Sequence, residues 1–375
     1  MLDMKQLILT LLLALPLAHA QSLTFRGDAR HSGTYQTSGP ETLQGVKWKF
    51  QTGGPVRSTP AVTADALYFG SNDGTFYAVK RDSGELLWKH QTTAPINSSA
   101  TVQDGKVYFG GHDGYLYALD QQTGQPIWKL QLDAEQIYPY DEWDFFSSSP
   151  VIENGILYIG SDMGAVYAVD AATGTEVWKS QLPAKSPMRS TPTVVGDQLI
   201  VAGYDKNFYS LDRKTGEVQW TRIIFNIGQS TASTDGKNFF VGLRGSTSAQ
   251  GIDLKNGESL WVFPDSPSWV PSSPAYDQGM VYIGGSDSHN LYAIKADTGA
   301  KVWAYNTDGY LFSSPAVTPS MVFTGSYDNT VYGVDRSTGQ LKWKFTTGDH
   351  VVSSPVPFGN ELYIGSDDGF LYALH

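Results

Sequence analysis

The sequence contains no cysteine and comparatively few charged residues, and both shortages narrow the possible functions. Without cysteine the chain can form no disulfide, cysteine nucleophile, Cys-ligated zinc site or covalent c-type haem. Charged residues make up 17%, and 37 acidic against 26 basic residues leave a net charge of -11, so no nucleic-acid partner is expected. What is abundant is glycine (39) and tyrosine (21), a composition that favours short strands and tight turns.

The longest hydrophobic run, residues 7–17, is too short to cross a bilayer as a helix. It ends in Ala18-His19-Ala20, a small-x-small pattern, which predicts a cleaved signal peptide over residues 1–20. A membrane-anchoring helix is the alternative interpretation. Because no cysteine follows the cleavage point, no lipid anchor can form there. The sequence therefore predicts an exported, soluble, periplasmic or envelope-associated protein with no transmembrane segment after cleavage.

A repeat of about 42 residues organises the rest of the chain. Its marker is a tryptophan, with spacings of 40, 40, 50, 42, 41, 42 and 40 residues, at Trp48, Trp88, Trp128, Trp178, Trp220, Trp261, Trp303 and Trp343. Seven of these follow a turn that ends in glycine, such as Thr123-Gly124. Each unit also carries a Ser-rich first strand and two further apolar strands. Four short strands at this period are typical of a propeller blade.

The units close into a ring without remainder. Eight Ser-rich strands begin near Ser58, Ser98, Ser148, Ser190, Ser230, Ser272, Ser313 and Ser353. The last unit ends after its third strand, whereas the strand around Trp48 lacks the three that should precede it. We therefore predict an all-β, eight-bladed β-propeller of four-stranded antiparallel blades over residues 46–375, preceded by an extended lead-in over 21–45. The N-terminal strand would complete the C-terminal blade of a monomer; a linear β-solenoid is the alternative.

The repeat unit resembles that of the PQQ-like (pyrroloquinoline quinone) propeller family, most clearly in Tyr108–Trp128 and Tyr158–Trp178. Within that family the chain is most similar to BamB-like outer-membrane assembly factors, over Leu23 to His375 and including the lead-in motif Phe25-Arg26-Gly27-Asp28. The resemblance implies that each tryptophan docks on an adjacent blade. It also implies a scaffold role with a protein partner, such as a BamA-like assembly component. The absence of a lipid-acceptor cysteine departs from the BamB pattern.

The family also contains quinoprotein dehydrogenases, which the resemblance associates with a quinone, a calcium ion, a catalytic Asp and usually an adjacent Cys pair. The residues just before the Ser-rich strands should surround the funnel mouth. None of them is acidic, so at this level no carboxylate can hold calcium or take a proton. They are Arg57, Asn97, Ser147, Arg189, Gln229, Pro271, Phe312 and Val352. We therefore predict no catalytic residue, cofactor or metal. The recurring Ser-Ser-Pro and Asp-Gly motifs are interpreted as inner-strand packing and tight turns.

Recognition is expected on loops that depart from the repeat. The longest, residues 132–146, holds five acidic and five aromatic residues and could form a lip at the funnel mouth or pack on its own propeller. The loop Lys185–Arg189 resembles the Arg-bearing loop by which BamB proteins touch their partner, although an exposed arginine there could also be merely solvated. The partner-binding candidates are Arg57, Asn97, Tyr138, Tyr140, Trp143, Phe146, Met188, Arg189, Gln229, Trp269, Tyr310, Phe312 and His350.

Three functional hypotheses follow from the sequence. The first is a non-enzymatic, exported scaffold that binds a protein partner in outer-membrane protein assembly or envelope biogenesis. The second is a binder of a small ligand or saccharide at the funnel face, and the third is a quinone-dependent dehydrogenase.

Overall fold

The computed structural model describes residues 23–132, 147–224, 227–245, 249–264 and 268–375, with the side chains of 244, 245, 268 and 269 left out. The candidates Tyr138, Tyr140, Trp143 and Phe146 lie outside the described residues. Every regular element in these ranges is a β-strand, and no helix in them could traverse a bilayer. Eight four-stranded antiparallel sheets form an eight-bladed β-propeller, which confirms the predicted fold class.

Six blades are built from four consecutive strands, and blade 5 from four strands that skip one; the strands of each are named from the axis outward. Blade 1 contains β2 Ala61–Val62, β3 Ala66–Gly70, β4 Thr75–Lys80 and β5 Leu86–Gln91, and blade 2 contains β6 Thr101–Gln103, β7 Lys106–Gly110, β8 Tyr115–Asp120 and β9 Pro126–Gln131. Blade 3 contains β10 Val151–Glu153, β11 Ile156–Gly160, β12 Ala165–Asp170 and β13 Glu176–Gln181. Blade 4 contains β14 Thr193–Val195, β15 Gln198–Ala202, β16 Asn207–Asp212 and β17 Val218–Ile223.

Blade 5 contains β18 Ser233–Thr234, β19 Asn238–Gly242, β21 Ala249–Asp253 and β22 Ser259–Phe263. Blade 6 contains β24 Ala275–Asp277, β25 Met280–Gly285, β26 Asn290–Lys295 and β27 Lys301–Asn306. Blade 7 contains β28 Ala316–Val317, β29 Met321–Gly325, β30 Thr330–Asp335 and β31 Leu341–Thr346. A separate two-stranded sheet pairs β20 Arg244–Gly245 with β23 Ser268–Trp269.

Blade 8 joins the two ends of the chain. It contains β32 Val356–Phe358, β33 Glu361–Gly365 and β34 Phe370–Leu374, and its outermost strand is β1 Val46–Gln51. The antiparallel register of β1 on β34 includes Val46 opposite Leu374 and Gln51 opposite Phe370. The prediction that the first strand completes the last blade is therefore confirmed.

The repeated tryptophan joins each blade to its neighbour. Each outer strand has one face against the protein, which carries the tryptophan, and one face in solvent. More and less exposed side chains therefore alternate along the strand. In seven of the eight repeated tryptophans, the indole Nε1 donates to a carbonyl of the next blade: Trp48 to Arg81, Trp88 to Gln121, Trp128 to Ala171, Trp178 to Arg213, Trp220 to Leu254, Trp261 to Ala296 and Trp303 to Arg336. The acceptors lie at the connection between the third and fourth strands, and blade 8 has no such connection because its fourth strand is β1. Trp343 donates instead to the Pro40 carbonyl of the lead-in at 2.7 Å.

The lead-in crosses one face of the ring, which we call the lower face. Its backbone carbonyls at Leu23, Ala29, Ser32 and Gly33 accept the outward amides of four inner strands, namely Val102, Val194, Tyr276 and Val317. Those strands belong to blades 2, 4, 6 and 7, so the segment spans the ring and satisfies edge amides that would otherwise lack a partner. Phe25, near its start, reaches the central bore.

Candidate functional site

The inner strands meet around the axis in a closed ring of hydroxyl groups. In every blade the second residue of the Ser-rich motif accepts, at its side-chain oxygen, the backbone amide of the equivalent residue in the preceding blade. The eight hydrogen bonds measure 2.9 to 3.3 Å and pass through Thr59, Ser99, Ser149, Thr191, Thr231, Ser273, Ser314 and Ser354 back to Thr59. We call these residues the hydroxyl ring.

The first residue of the same motif forms a hydrogen bond within its own blade. Ser98 Oγ accepts the amide of Gly110 at 3.2 Å, and Ser58 Oγ accepts that of Gly70 at 2.9 Å. These bonds tie the inner strand to the second strand of its own blade. The motif was interpreted from the sequence as inner-strand packing, but its role in joining neighbouring blades was missed. The sequence does contain a sign of this role, since Ser or Thr recurs at the second position of all eight motifs.

One level above the hydroxyl ring lie the eight residues expected at the funnel mouth. All eight line the same small central cavity together with the ring and Phe25, as the sequence predicts. The cavity has a volume of about 60 Å³. Arg57, Asn97, Arg189, Gln229 and Phe312 are thereby placed around one bore.

Arg57 and Arg189 are anchored by aspartates from neighbouring turns. Arg57 donates from Nε and Nη2 to the two carboxylate oxygens of Asp367, at 3.0 and 2.8 Å. Arg189 donates from Nε to Asp162 Oδ1 at 3.2 Å, and its guanidinium lies 5.1 Å from the ring centroid of Tyr204. Planar guanidinium groups suit both the paired carboxylate and the ring face.

The expectation that Arg189 is exposed on the rim is wrong. Arg189 is 2% exposed, Met188 1% and Gln229 5%, because the loop folds inward over Gly203 and Tyr204. Gln229 donates to the Tyr204 hydroxyl. Burial, followed by the nearby charge of Arg189, lowers the pKa of His112 to about 3. A charged residue in a loop looks exposed in sequence, and nothing in the motif indicated the aspartate and tyrosine that bury this one.

The loop entering each blade and the turn between its second and third strands share the opposite, upper face. The Asp-Gly turns join them. Asp73 accepts the Gly53 amide at 2.8 Å from the entering loop and the Tyr77 hydroxyl at 2.6 Å from its own blade. The same carboxylate-to-amide contact recurs from Asp308 N to Asp328 and from Gly348 N to Asp368. These turns therefore serve the fold, as interpreted from the sequence.

A pocket of about 690 Å³ opens on the upper face over blades 6, 7, 8 and 1. Entering loops supply Arg57, Asp308, Tyr310, Asp349 and His350, and turns between second and third strands supply His289, Tyr327, Asp328 and Asp367. Four carboxylates against one arginine give its rim an acidic character. Three sequence candidates, Arg57, Tyr310 and His350, are brought together here, and we call this the upper pocket.

A continuous wall of rings forms one side of the upper pocket. Tyr310 stacks on Phe312 with centroids 6.1 Å apart and meets His289 edge-on at 5.1 Å. Tyr327 lies edge-on to Phe312 at 4.7 Å and stacks on His350 at 4.2 Å. Tyr310 remains 36% exposed, whereas Phe312 beneath it is 2% exposed. Aromatic rings supported in this way offer large contact area at low entropic cost.

The remaining candidates lie apart from this pocket. Asn97, Arg189 and Gln229 line the bore, and Met188 is buried next to Arg189 in the loop that enters blade 4. The backbone of Trp269 pairs with Arg244 in the added two-stranded sheet. Tyr327 and His289 were missed by sequence reasoning because they occupy turn positions that look ordinary within a single repeat.

Comparison with known proteins identifies the family. A family model described as "Outer membrane protein assembly factor BamB" matches residues 44–142, 142–264 and 246–375. The chain belongs to the PQQ-like, BamB-like family of repeat propellers. A curated BamB of Shewanella oneidensis is 27% identical over 134 residues, which span 36% of this chain and 33% of that protein.

Two solved structures are similar in fold. BamB from Moraxella catarrhalis has a TM-score of 0.70 at 20% identity, over 88% of this chain and 97% of that one. A quinohemoprotein alcohol dehydrogenase from Comamonas testosteroni has a TM-score of 0.79 at 15% identity, over 95% of this chain and 80% of that one. At these identities the likeness shows the fold alone.

The second relative raises the question of whether the bore fits a quinone and its cation. The cavity of about 60 Å³ is several-fold smaller than the roughly 300 Å³ from which small-molecule sites start. No carboxylate is among its lining residues, and no cluster of three potential metal ligands occurs in the described part of the chain. The residues that line this bore therefore do not fit a quinone with a hard cation.

Proposed function

We propose that this chain is an exported, non-enzymatic propeller scaffold that binds a protein partner in outer-membrane protein assembly or envelope biogenesis. Membership of the BamB-like family supports the role in outline. The observation that carries the proposal is the upper pocket, whose acidic rim surrounds a supported and partly exposed aromatic wall. Such pockets accept side chains of a protein partner, with the aromatic residues as anchors.

The resemblance makes a BamA-like assembly component the first partner to test. The upper pocket, however, does not include Arg189. Because Met188, Arg189 and Gln229 are buried, a partner could reach them only after this side of the ring rearranges. The upper pocket requires no such change. We therefore place the main contact at Tyr310 and His350 and keep the Arg189 loop as a secondary prediction.

The test is capture of partners from envelope extract with the tagged mature chain. Tyr310→Ser removes the exposed ring of the wall, and we expect retention of the main partner to fall at least tenfold. Val302→Ser is the matched control, since it removes an apolar side chain that is 47% exposed on the outer strand of blade 6. Equal retention by both variants and the unaltered chain would contradict binding at this pocket.

An aromatic wall beside polar groups also suits a saccharide, which stacks on exposed rings. A thermal-shift panel of sugars and small ligands separates this second candidate from the first, because a ligand that binds the native state raises its stability by mass action. A saccharide that stabilises the unaltered chain but not Tyr310→Ser would favour the small-ligand function.

A further inference from the structure

We propose that the bore of the propeller is a binding site for a small inorganic anion, held by the hydroxyl ring. Each of the eight hydroxyl oxygens accepts one backbone amide, as described above. A Ser or Thr hydroxyl also carries a proton to donate. None of the eight donates to another atom among the residues that the structure describes, although these residues are only 2% to 8% exposed.

Eight buried hydroxyl donors are costly unless a guest in the bore accepts hydrogen bonds from them. All eight residues line the central cavity, so the guest belongs there. One level above, the Ser147 hydroxyl is a further buried oxygen with no partner in the described chain. The cavity wall thus has more hydrogen-bonding capacity than the protein itself uses.

The sign of the wall selects an anion over a cation. Arg57 and Arg189 both line the cavity, whereas the aspartates that pair with them, Asp367 and Asp162, do not. The hydroxyl protons, with two arginines and no carboxylate among the lining residues, favour an anion in the bore. A cation would meet these groups without a carboxylate to offset them.

The size of the cavity limits the anion to a few atoms. About 60 Å³ corresponds to roughly four to six water-sized sites, given about 10–15 Å³ for each. A halide with its waters, or a tetrahedral oxyanion, falls within that limit. Phe25 of the lead-in lines the same cavity.

Crystals of the mature protein soaked in bromide test the location directly. We expect an anomalous peak in the bore, within hydrogen-bonding distance of the hydroxyl ring. Density for water alone, in both bromide and phosphate, would overturn the proposal.

Matched variants of one motif test the binding in solution. Ser98→Ala and Ser99→Ala each remove one hydroxyl that accepts a backbone amide, at 3.2 and 3.1 Å, but only Ser99 belongs to the ring. The melting temperature is measured against bromide and phosphate, with gluconate to hold the ionic strength constant. We expect a saturable rise in the unaltered chain and in Ser98→Ala.

For Ser99→Ala we expect the apparent affinity to fall about tenfold, the usual order for one hydrogen bond to a charged group. Equal affinity in the two variants would overturn the role of the ring. A bromide peak without any saturable stabilisation would mean an adventitious ion only, and would also overturn the proposal. Because neither variant touches the upper pocket, these outcomes do not depend on partner binding.

Discussion

Trp88 and Gly124 show how single residues couple neighbouring blades. The indole of Trp88 donates to Gln121 in the next blade and lies flat against Gly124, where the backbone has φ +68°. A Cβ at Gly124 would lie 2.5 Å from Trp88 Cε3. The glycine was predicted from the tight turn alone. Its second task, making room for the tryptophan of the preceding blade, could not be found within one repeat unit.

Gly124→Ala should therefore destabilise more than a change at an equally strained but open turn. Gly105, in the same blade, has φ +72° and no atom within 4 Å of the site of a Cβ. We expect Gly105→Ala to cost about 1 kcal/mol of unfolding free energy from backbone strain. Gly124→Ala should cost about 2–4 kcal/mol, because the clash with the indole adds to that strain. Urea unfolding of both variants measures the difference, and equal losses would contradict the docking role.

The Asp73–Tyr77 contact predicts a dependence of stability on alkaline pH. Burial, together with the hydrogen bond to Asp73, raises the pKa of Tyr77 to about 12 from an ordinary value near 10. Because the folded-state pKa is raised, this contribution is complete below about pH 10 and is lost as the pH rises toward 12. Tyr209, Tyr332 and Tyr372 share the arrangement, and their pKa values are raised too.

Urea midpoints between pH 8 and 12 test this linkage. Tyr77→Phe should be less stable than the unaltered chain at pH 8 and should lose less stability between pH 10 and 12. Tyr276→Phe is the control, since Tyr276 stacks on Phe240 and its hydroxyl donates to no carboxylate among the described residues. A parallel fall for the unaltered chain and Tyr77→Phe would show that the contact does not govern the alkaline limit.

At the scale of elements, β1 and the lead-in contribute differently to the ring. Strand β1 supplies the outer strand of blade 8, whereas residues 23–40 bind inner-strand edges and give Trp343 its acceptor. The role of β1 could be predicted, because the repeat count leaves one strand too many at the start and one too few at the end. The path of the lead-in could not, since it has no repeat pattern and its contacts are backbone carbonyls.

Two truncations separate these contributions. A chain that begins at residue 42 keeps β1 and should still unfold cooperatively. Its melting temperature should be lower, because it loses the lead-in contacts to the inner strands and to Trp343. A chain that begins at residue 52 lacks β1, exposes the edge of β34, and should lose its cooperative transition. Calorimetry of both chains provides the measurement. A cooperative melt of the shorter chain would refute closure by β1.

At the scale of the whole molecule, the upper pocket and the bore exist only because eight similar units are arranged around one axis. Tyr310, Tyr327 and His350 come from two entering loops and one turn, and each is unremarkable in its own repeat. The funnel-mouth residues could be predicted because they share one position in every repeat. The pocket could not, since its members occupy different positions, and the loop of residues 133–146 remains a prediction outside the described structure.

The closed ring also predicts that the place where the chain begins is interchangeable. In blade 8, the Gln44 amide donates to the His375 carbonyl at 2.6 Å, so a short glycine linker can join the two ends. New ends can then be cut in the exposed turn at Lys214-Thr215, where β17 would complete blade 4 after separation from β16 in sequence. Hydrogen bonds and tryptophan docking are the same in both arrangements, because they depend on strand pairing and not on chain order. The permuted chain should melt within a few degrees of the chain that begins at residue 42, and a large loss of stability would mean that blade 8 alone can accept a strand from the other end.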